Sequence, residues 1–227
     1  MDATAIIPVK RFGAAKQRLL EALDRRQRAA IVKAMLADVL TSIAATERVE
    51  RVIVVTGEGR AERLALHHAR RRSLPLEVFR DPDDAGHSEA ATLGIVRARA
   101  LGATCVALLP ADCPLLDARE LDLALERMRP GRVAVVPDRH GTGTNALLLS
   151  PADAIGPAFG EGSCERHADR GRRAGLAVAV EPLPSLALDL DTPADLLALA
   201  EALEGNAPSA PATAAELARL GTAAGGR

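Results

Sequence analysis

Short apolar runs rich in β-branched residues, at 4–9, 51–56, 76–80, 105–109, 132–137, 146–150, 177–181 and 186–190, alternate along this chain with longer stretches rich in Ala, Leu and Arg. No other feature constrains the fold as tightly. A strand that reads as a continuous apolar run is buried on both faces, and parallel strands must be joined by crossovers long enough to hold a helix. The stretches at 25–45, 60–71, 88–101, 118–128, 163–174 and 192–203 repeat apolar residues three and four apart, as helices covering such a sheet do. Thr192 followed by Pro193 and Asp195 marks the start of the last of them. Residues 132–150 break the rhythm by reading as a hairpin, which makes the sheet mixed. The expected architecture is α/β and Rossmann-like, a mainly parallel mixed sheet flanked by helices.

A chain of 227 residues suits one domain, expected over 1–204. Residues 205–227 are rich in Ala, Gly and Pro and read as a flexible tail, within which 212–220 could form one short helix. Hydrophobic residues make up 48% of the chain but aromatics only 1%, so the core must be filled by Ala, Leu, Val and Ile. With Phe12, Phe79 and Phe159 as the only aromatic rings of that class and a net charge of −1, neither a base-stacking platform nor a phosphate-backbone surface is available, and no nucleic-acid partner is expected. Cys105, Cys113 and Cys164 form no close pair of metal-ligand spacing, which fits a reducing compartment. No leader segment and no apolar run of about 20 residues is visible, so a cytoplasmic protein without a membrane partner is expected.

Ligands of open α/β sheets bind beyond the carboxyl ends of the strands, so the residues that follow each strand carry the most information. After the first strand come Lys10, Arg11, Phe12 and then Lys16, Gln17 and Arg18; two of the chain's three lysines fall in this one loop. A compact ammonium suits a crowded polyphosphate better than a planar guanidinium does. The alternative is a pair of solvated charges on a turn. After the fourth strand, Asp112 stands between Pro110 and Pro114, a rigid mount for a hard-cation ligand or, more plainly, a turn cap. In Leu188-Asp189-Leu190-Asp191-Thr192-Pro193, period-two geometry places both carboxylates on one face, and two such charges repel unless a cation intervenes. Asp191 has the alternative of capping the helix that begins at Thr192. A fourth set joins 138–145, with Gly141, Gly143 and Thr144, to Gly160, Gly162 and Ser163, which offer close backbone approach, hydroxyls and helix N-terminal amides to an anion; Ser163 also suits a plain N-cap. His140 and His167 read as polar loop and helix-surface residues with no catalytic part.

Four motifs in this order resemble one family. Ile7-Pro8-Val9-Lys10 with Ala15-Lys16-Gln17-Arg18-Leu19, Leu109-Pro110-Ala111-Asp112-Cys113-Pro114-Leu115, Gly141-Thr142-Gly143-Thr144-Asn145-Ala146-Leu147 and Leu188-Asp189-Leu190-Asp191-Thr192-Pro193 look like those of the guanylyltransferases that activate a phosphorylated three-carbon acid for coenzyme F(420). The resemblance runs from about residue 5 to about residue 203. It implies a nucleotidyltransferase fold of the glycosyltransferase-A-like kind, and transfer of GMP from GTP to 2-phospho-L-lactate, phosphoenolpyruvate or 3-phosphoglycerate with release of pyrophosphate. By the family's motif, Asp112, Asp189 and Asp191 would hold Mg²⁺, while Thr144, Gly160 and Ser163 would hold the phospho-acid. Lys10, Lys16 and Arg18 would balance the departing pyrophosphate, with Gly86, Ser88 and Asp112 completing the nucleotide site. The chain departs from the pattern at Gly86-His87-Ser88, where Gly-Leu-Asn is usual, and at Cys164, where larger side chains are common. The second departure suggests a roomier acid pocket that admits 3-phosphoglycerate. A downstream transferase that consumes the product is an implied partner, and a homodimer is among the assembly states left open. Nucleotidyl transfer to a sugar phosphate or to the molybdenum cofactor, or nucleotide binding without turnover, are the alternatives.

Overall fold

The computed structural model describes residues 1–12, 19–20, 22–72, 74–81, 83, 86–204 and 209–224. Strands β1 (Ala3–Val9), β2 (Val49–Thr56), β3 (Leu76–Arg80), β4 (Val106–Leu108), β5 (Arg132–Pro137), β6 (Thr144–Ser150) and β7 (Ala177–Val180) form one sheet in the order β3-β2-β1-β4-β6-β5-β7. Only β6 runs against the others, pairing antiparallel with both β4 and β5, so the hairpin expected over 132–150 is present and the sheet is mixed. Every residue of β1 is buried. Ala5 and Ile7 enter the core on one face while Ile6 enters the core on the other, which is why its sequence shows no polar alternation.

Helices α1 (Arg25–Ile43), α2 (Gly59–Arg72), α4 (Ala118–Glu126), α6 (Pro193–Glu204) and α7 (Pro211–Ala224) belong to the first of these cores, and α3 (His87–Ala100) and α5 (Ser163–Arg173) to the second face. Asp24 starts α1 with a capping box, its carboxylate accepting from Arg26 and Gln27 N–H while the Gln27 side chain accepts from Asp24 N–H. At Gly94 helix α3 comes so close to the sheet that a Cβ would lie 2.2 Å from Ile6 Cγ2 and 3.1 Å from Val55 Cγ2. Gly94→Ala is therefore expected to destabilise the protein by about 1–3 kcal/mol, although alanine gains about 1 kcal/mol in helix propensity. Urea unfolding checks it: a midpoint equal to wild type would mean that α3 can lift off β1 at no cost.

Two expectations are corrected. The run at 186–190 is not a strand: a single 3-10 turn (Pro184–Leu186) leads into irregular chain, and its carbonyls are taken from outside a ladder. Leu186 O accepts from Asn145 Nδ2 at 2.7 Å and from Cys113 Sγ at 3.7 Å, and Ala187 O accepts from Arg139 N at 2.9 Å. The segment beyond residue 208 is not a loose tail, because α7 packs on α1 through Ala214, Leu217 and Leu220. Asp38 of α1, 3% exposed, accepts from Ala212 N and Thr213 N at 3.1 and 2.7 Å and so caps α7 from a neighbouring helix. A cap supplied 174 residues away in sequence leaves no local signal.

Candidate active site

From β1 the chain moves outward to β2 and β3, then returns to β4 on the other side of β1. The carboxyl ends of β1 and β4 thus flank the topological switch point, the crevice where open α/β sheets take their ligands. Lys10, exposed directly after β1, and Asp112, half-buried after β4, stand on its two sides. Lys16 and Arg18 lie outside the described residues. Because β6 is reversed, its first residues, Thr144 and Asn145, come to the same edge as the ends of the other strands.

The residues expected from sequence to hold the phospho-acid converge. Thr144 Oγ1 lies 3.0 Å from His167 Nδ1 on α5, and Cys164 N at the start of α5 donates to Thr142 O at 3.1 Å. Gly160 and Gly162 have φ of 110° and 67°, left-handed backbone that lets the loop turn sharply into the helix, with Ser163 N donating back to Gly160 O at 3.0 Å. Arg166 donates to Ala158 O and Glu161 O, and Arg170 donates to Gly156 O, so one face of α5 holds the loop that precedes it. Ser163 Oγ is fully buried and has no hydrogen-bond partner among the described residues. Ser88, assigned from sequence to the nucleotide, accepts from Phe159 N at 2.9 Å, and the neighbouring His87 ring meets the Phe159 ring edge-on at 4.7 Å. The segment Gly86-His87-Ser88 therefore touches the loop before α5 as well as opening α3.

On the carboxylate side, Asn145 Nδ2 reaches Asp189 Oδ1 at 3.4 Å while holding Leu186 O, and the Cys113 thiol meets the same carbonyl. The Asp112 turn and the 186–191 segment are thereby brought alongside each other. Among the described residues, no group of three or more His, Cys, Asp or Glu side chains stands close enough to hold a metal ion. Asp112, Asp189 and Asp191 share an edge without being gathered into a ligand set of three. The cap of α6 is Thr192 rather than Asp191: Thr192 Oγ1 accepts from Asp195 N, and Asp195 Oδ2 accepts from Thr192 N, Thr192 Oγ1 and Asp191 N. Burial alone would raise the Asp195 carboxyl, but these bonds and the Arg139 guanidinium paired with it hold it below its ordinary value.

Sequence reading missed His167. It is 0% exposed rather than on the helix surface, and burial, reinforced by the positive charges of Arg170 and Arg166, pushes its imidazole down to about 4. The signal was its place four residues after Ser163, on the same helix face. Cys164 was read as bordering the acid pocket, but its side chain is 7% exposed and belongs to the apolar cluster with Val133, Val135 and Leu147. Cys164→Phe would overpack a core rather than narrow a pocket. His140 is exposed and accepts from Arg139 Nε.

Residues 3–210 match the family described as guanylyl transferase, CofC like. The chain belongs to this family. A phosphoenolpyruvate guanylyltransferase of Conexibacter woesei is 46% identical over 203 residues, 88% of each chain. A 3-phospho-D-glycerate guanylyltransferase of Phenylobacterium zucineum is 36% identical over 87% of this chain and 89% of its own. A nucleotide-diphospho-sugar transferase of Desulfovibrio desulfuricans, 19% identical, superposes with a TM-score of 0.73 over 96% of this chain and 95% of its own, a likeness of fold alone. No helix among the described residues is long and apolar enough to cross a membrane.

Proposed function

We propose that this CofC-like chain transfers the guanylyl group of GTP to a phosphorylated three-carbon acid, phosphoenolpyruvate or 3-phosphoglycerate. An oxygen of the acid's phosphate attacks the α-phosphorus, the bond from that phosphorus to the β-phosphate oxygen breaks, and pyrophosphate leaves. The attacking dianion needs no general base, so positioning and charge neutralisation carry the reaction. Lys10 at the switch point would counter the charge on the departing pyrophosphate.

The observation that carries this reading is Ser163 Oγ, buried without a partner among the described residues at the N-terminus of α5. Leaving such a hydroxyl unsatisfied costs about 1–3 kcal/mol, a cost a ligand oxygen would remove. The helix N-terminus adds a favourable dipole for an anion, although the Ser163 and Cys164 amides already donate to Gly160 O and Thr142 O, and Thr144 reaches the same helix through His167. Those features fit the phosphate or carboxylate of the acid.

Mg²⁺ fits the other half of the site by donor chemistry. Asp112 and Asp189 offer hard carboxylate oxygens on adjoining segments, Asp189 already oriented by Asn145, and Mg²⁺ commonly takes one or two carboxylates, waters and substrate phosphates rather than a full protein cage. Bound there, it would neutralise charge on the α-phosphoryl group. Asp112, Asp189 and Asp191 are the residues that would hold it.

Pyrophosphate release from GTP, measured in parallel with phosphoenolpyruvate, 3-phosphoglycerate and 2-phospho-L-lactate, tests the function. Ser163→Ala sharpens the test: the ligand-free protein is expected to gain about 1 kcal/mol in stability while the KM for the acid rises roughly tenfold and that for GTP is unchanged. A loss of stability with both KM values intact would make Ser163 an ordinary buried residue.

A further inference from the structure

We infer that His167 is a positioning residue for the acid: it holds the Thr144 hydroxyl as a hydrogen-bond donor facing the substrate. The inference rests on the proposed function and deepens it. Its geometry is directional. Ala158 N donates to His167 Nε2 at 2.8 Å, and a backbone N–H cannot accept, so Nε2 carries no hydrogen. A neutral imidazole with a bare Nε2 has its hydrogen on Nδ1. Nδ1 lies 3.0 Å from Thr144 Oγ1, so the ring donates and the hydroxyl oxygen accepts. The Thr144 hydrogen is thereby turned away from the ring, and no other partner for this hydroxyl is found among the described residues.

Burial makes the arrangement rigid. His167 is 0% exposed, and the Phe159 ring stands edge-on to it with centroids 5.2 Å apart. A second proton on Nε2 would oppose Ala158 N–H, so the same contact that fixes the tautomer also excludes the imidazolium. Thr144 without His167 would be free to rotate, spending its hydrogen on either side. With His167, the hydroxyl presents a hydrogen to an oxygen of the acid, and the loop 158–163 is tied to β6 through one ring. Arg166 and Arg170 hold the same loop from the exposed side of α5, but only His167 spans from the loop to a substrate-facing hydroxyl.

Four measurements decide it. Imidazole nitrogen chemical shifts of the ¹⁵N-labelled wild-type protein at pH 7, with the His167 signals identified by their loss in His167→Gln, should show hydrogen on Nδ1 and none on Nε2; the reverse overturns the inference whatever the activity. His167→Gln sets its amide where Nε2 stands, keeping an acceptor for Ala158 N–H and leaving no donor at the position of Nδ1, so the KM for the acid should rise about tenfold with the KM for GTP within twofold. His167→Asn, which can still donate to Thr144, should recover part of that loss. In a Thr144→Ala background, His167→Gln should have no further effect on the acid KM. Additive effects, or equal rises for GTP and acid, overturn the positioning role and leave the function standing. A wild-type enzyme that turns over none of the phospho-acids with GTP overturns the function and this inference with it.

Discussion

Asp112→Asn is expected to lower guanylyl transfer by about 10³-fold while leaving the unfolding midpoint within about 0.5 kcal/mol of wild type. The substitution keeps the size and shape of the side chain and removes its charge. The turn that carries it is held by other means: Leu109 N donates to Ile6 O at 2.9 Å, Leu116 N to Cys113 O at 3.2 Å, and the Cys113 thiol to Leu186 O. These bonds persist when the charge is removed. What the substitution removes is a carboxylate at the switch point between β1 and β4, where, on the proposed function, the triphosphate would lie within reach of Lys10. If Asp112 holds Mg²⁺, raising the magnesium concentration should recover part of the lost rate, because a weakened ligand set can be filled by mass action. Asp189→Asn should lose less than Asp112→Asn, since Asn145 remains to organise that side. Asp112→Asn that keeps more than a tenth of wild-type turnover at limiting magnesium would remove Asp112 from the catalytic set.

The sheet was legible in the sequence because burial on both faces writes itself as apolar continuity. The hairpin was legible because two such runs stood too close for a helix between them. The run at 186–190 misled for the same reason: Leu186, Leu188 and Leu190 do enter the core, but the acceptors of 186 and 187 are used by Asn145, Cys113 and Arg139, not by a neighbouring strand. Period two reports burial, and pairing is a separate matter. Lys10, Asp112, Thr144 and Ser163 stood out because each follows a strand, opens the reversed strand or opens a helix. His167 could not be separated from a surface histidine by its type. Its i, i+4 relation to Ser163 pointed inward, yet only the structure shows Thr144 and Ala158 arriving at its two nitrogens from other elements. The docking of α7 was hidden because Asp38, its cap, lies on a helix far upstream.

Acid should unfold the wild-type protein through His167, and the sign follows from its burial. The imidazole sits at about 4 in the folded protein against an ordinary value of 6.5, because burial, followed by the charges of Arg170 and Arg166, opposes the cation. Between those two values the unfolded chain binds a proton that the native protein does not, so stability rises with pH across the window and falls as the pH is lowered through it. Above about 6.5 the contribution is complete; below about 4 both states are protonated and the loss is complete. At about 1.4 kcal/mol per unit of difference, the full loss is about 3 kcal/mol, a large fraction of the stability of a domain this size. Asp195 works in the same direction but lower: its folded carboxyl lies below its ordinary value of 3.8, so the stability it adds is present above that value and lost as the pH falls beneath it. His68, on α2 across the sheet from α5, is also lowered, by burial first. His167→Gln isolates the one from the other, since glutamine accepts from Ala158 N–H and does not titrate. Urea midpoints of the two proteins, measured from pH 7.5 to pH 4, should converge toward acid by about 3 kcal/mol in free energy, the wild type losing more than the variant. Parallel curves would mean that the ring accepts a proton without breaking its contact to Ala158, which is incompatible with a bare Nε2 held by that amide.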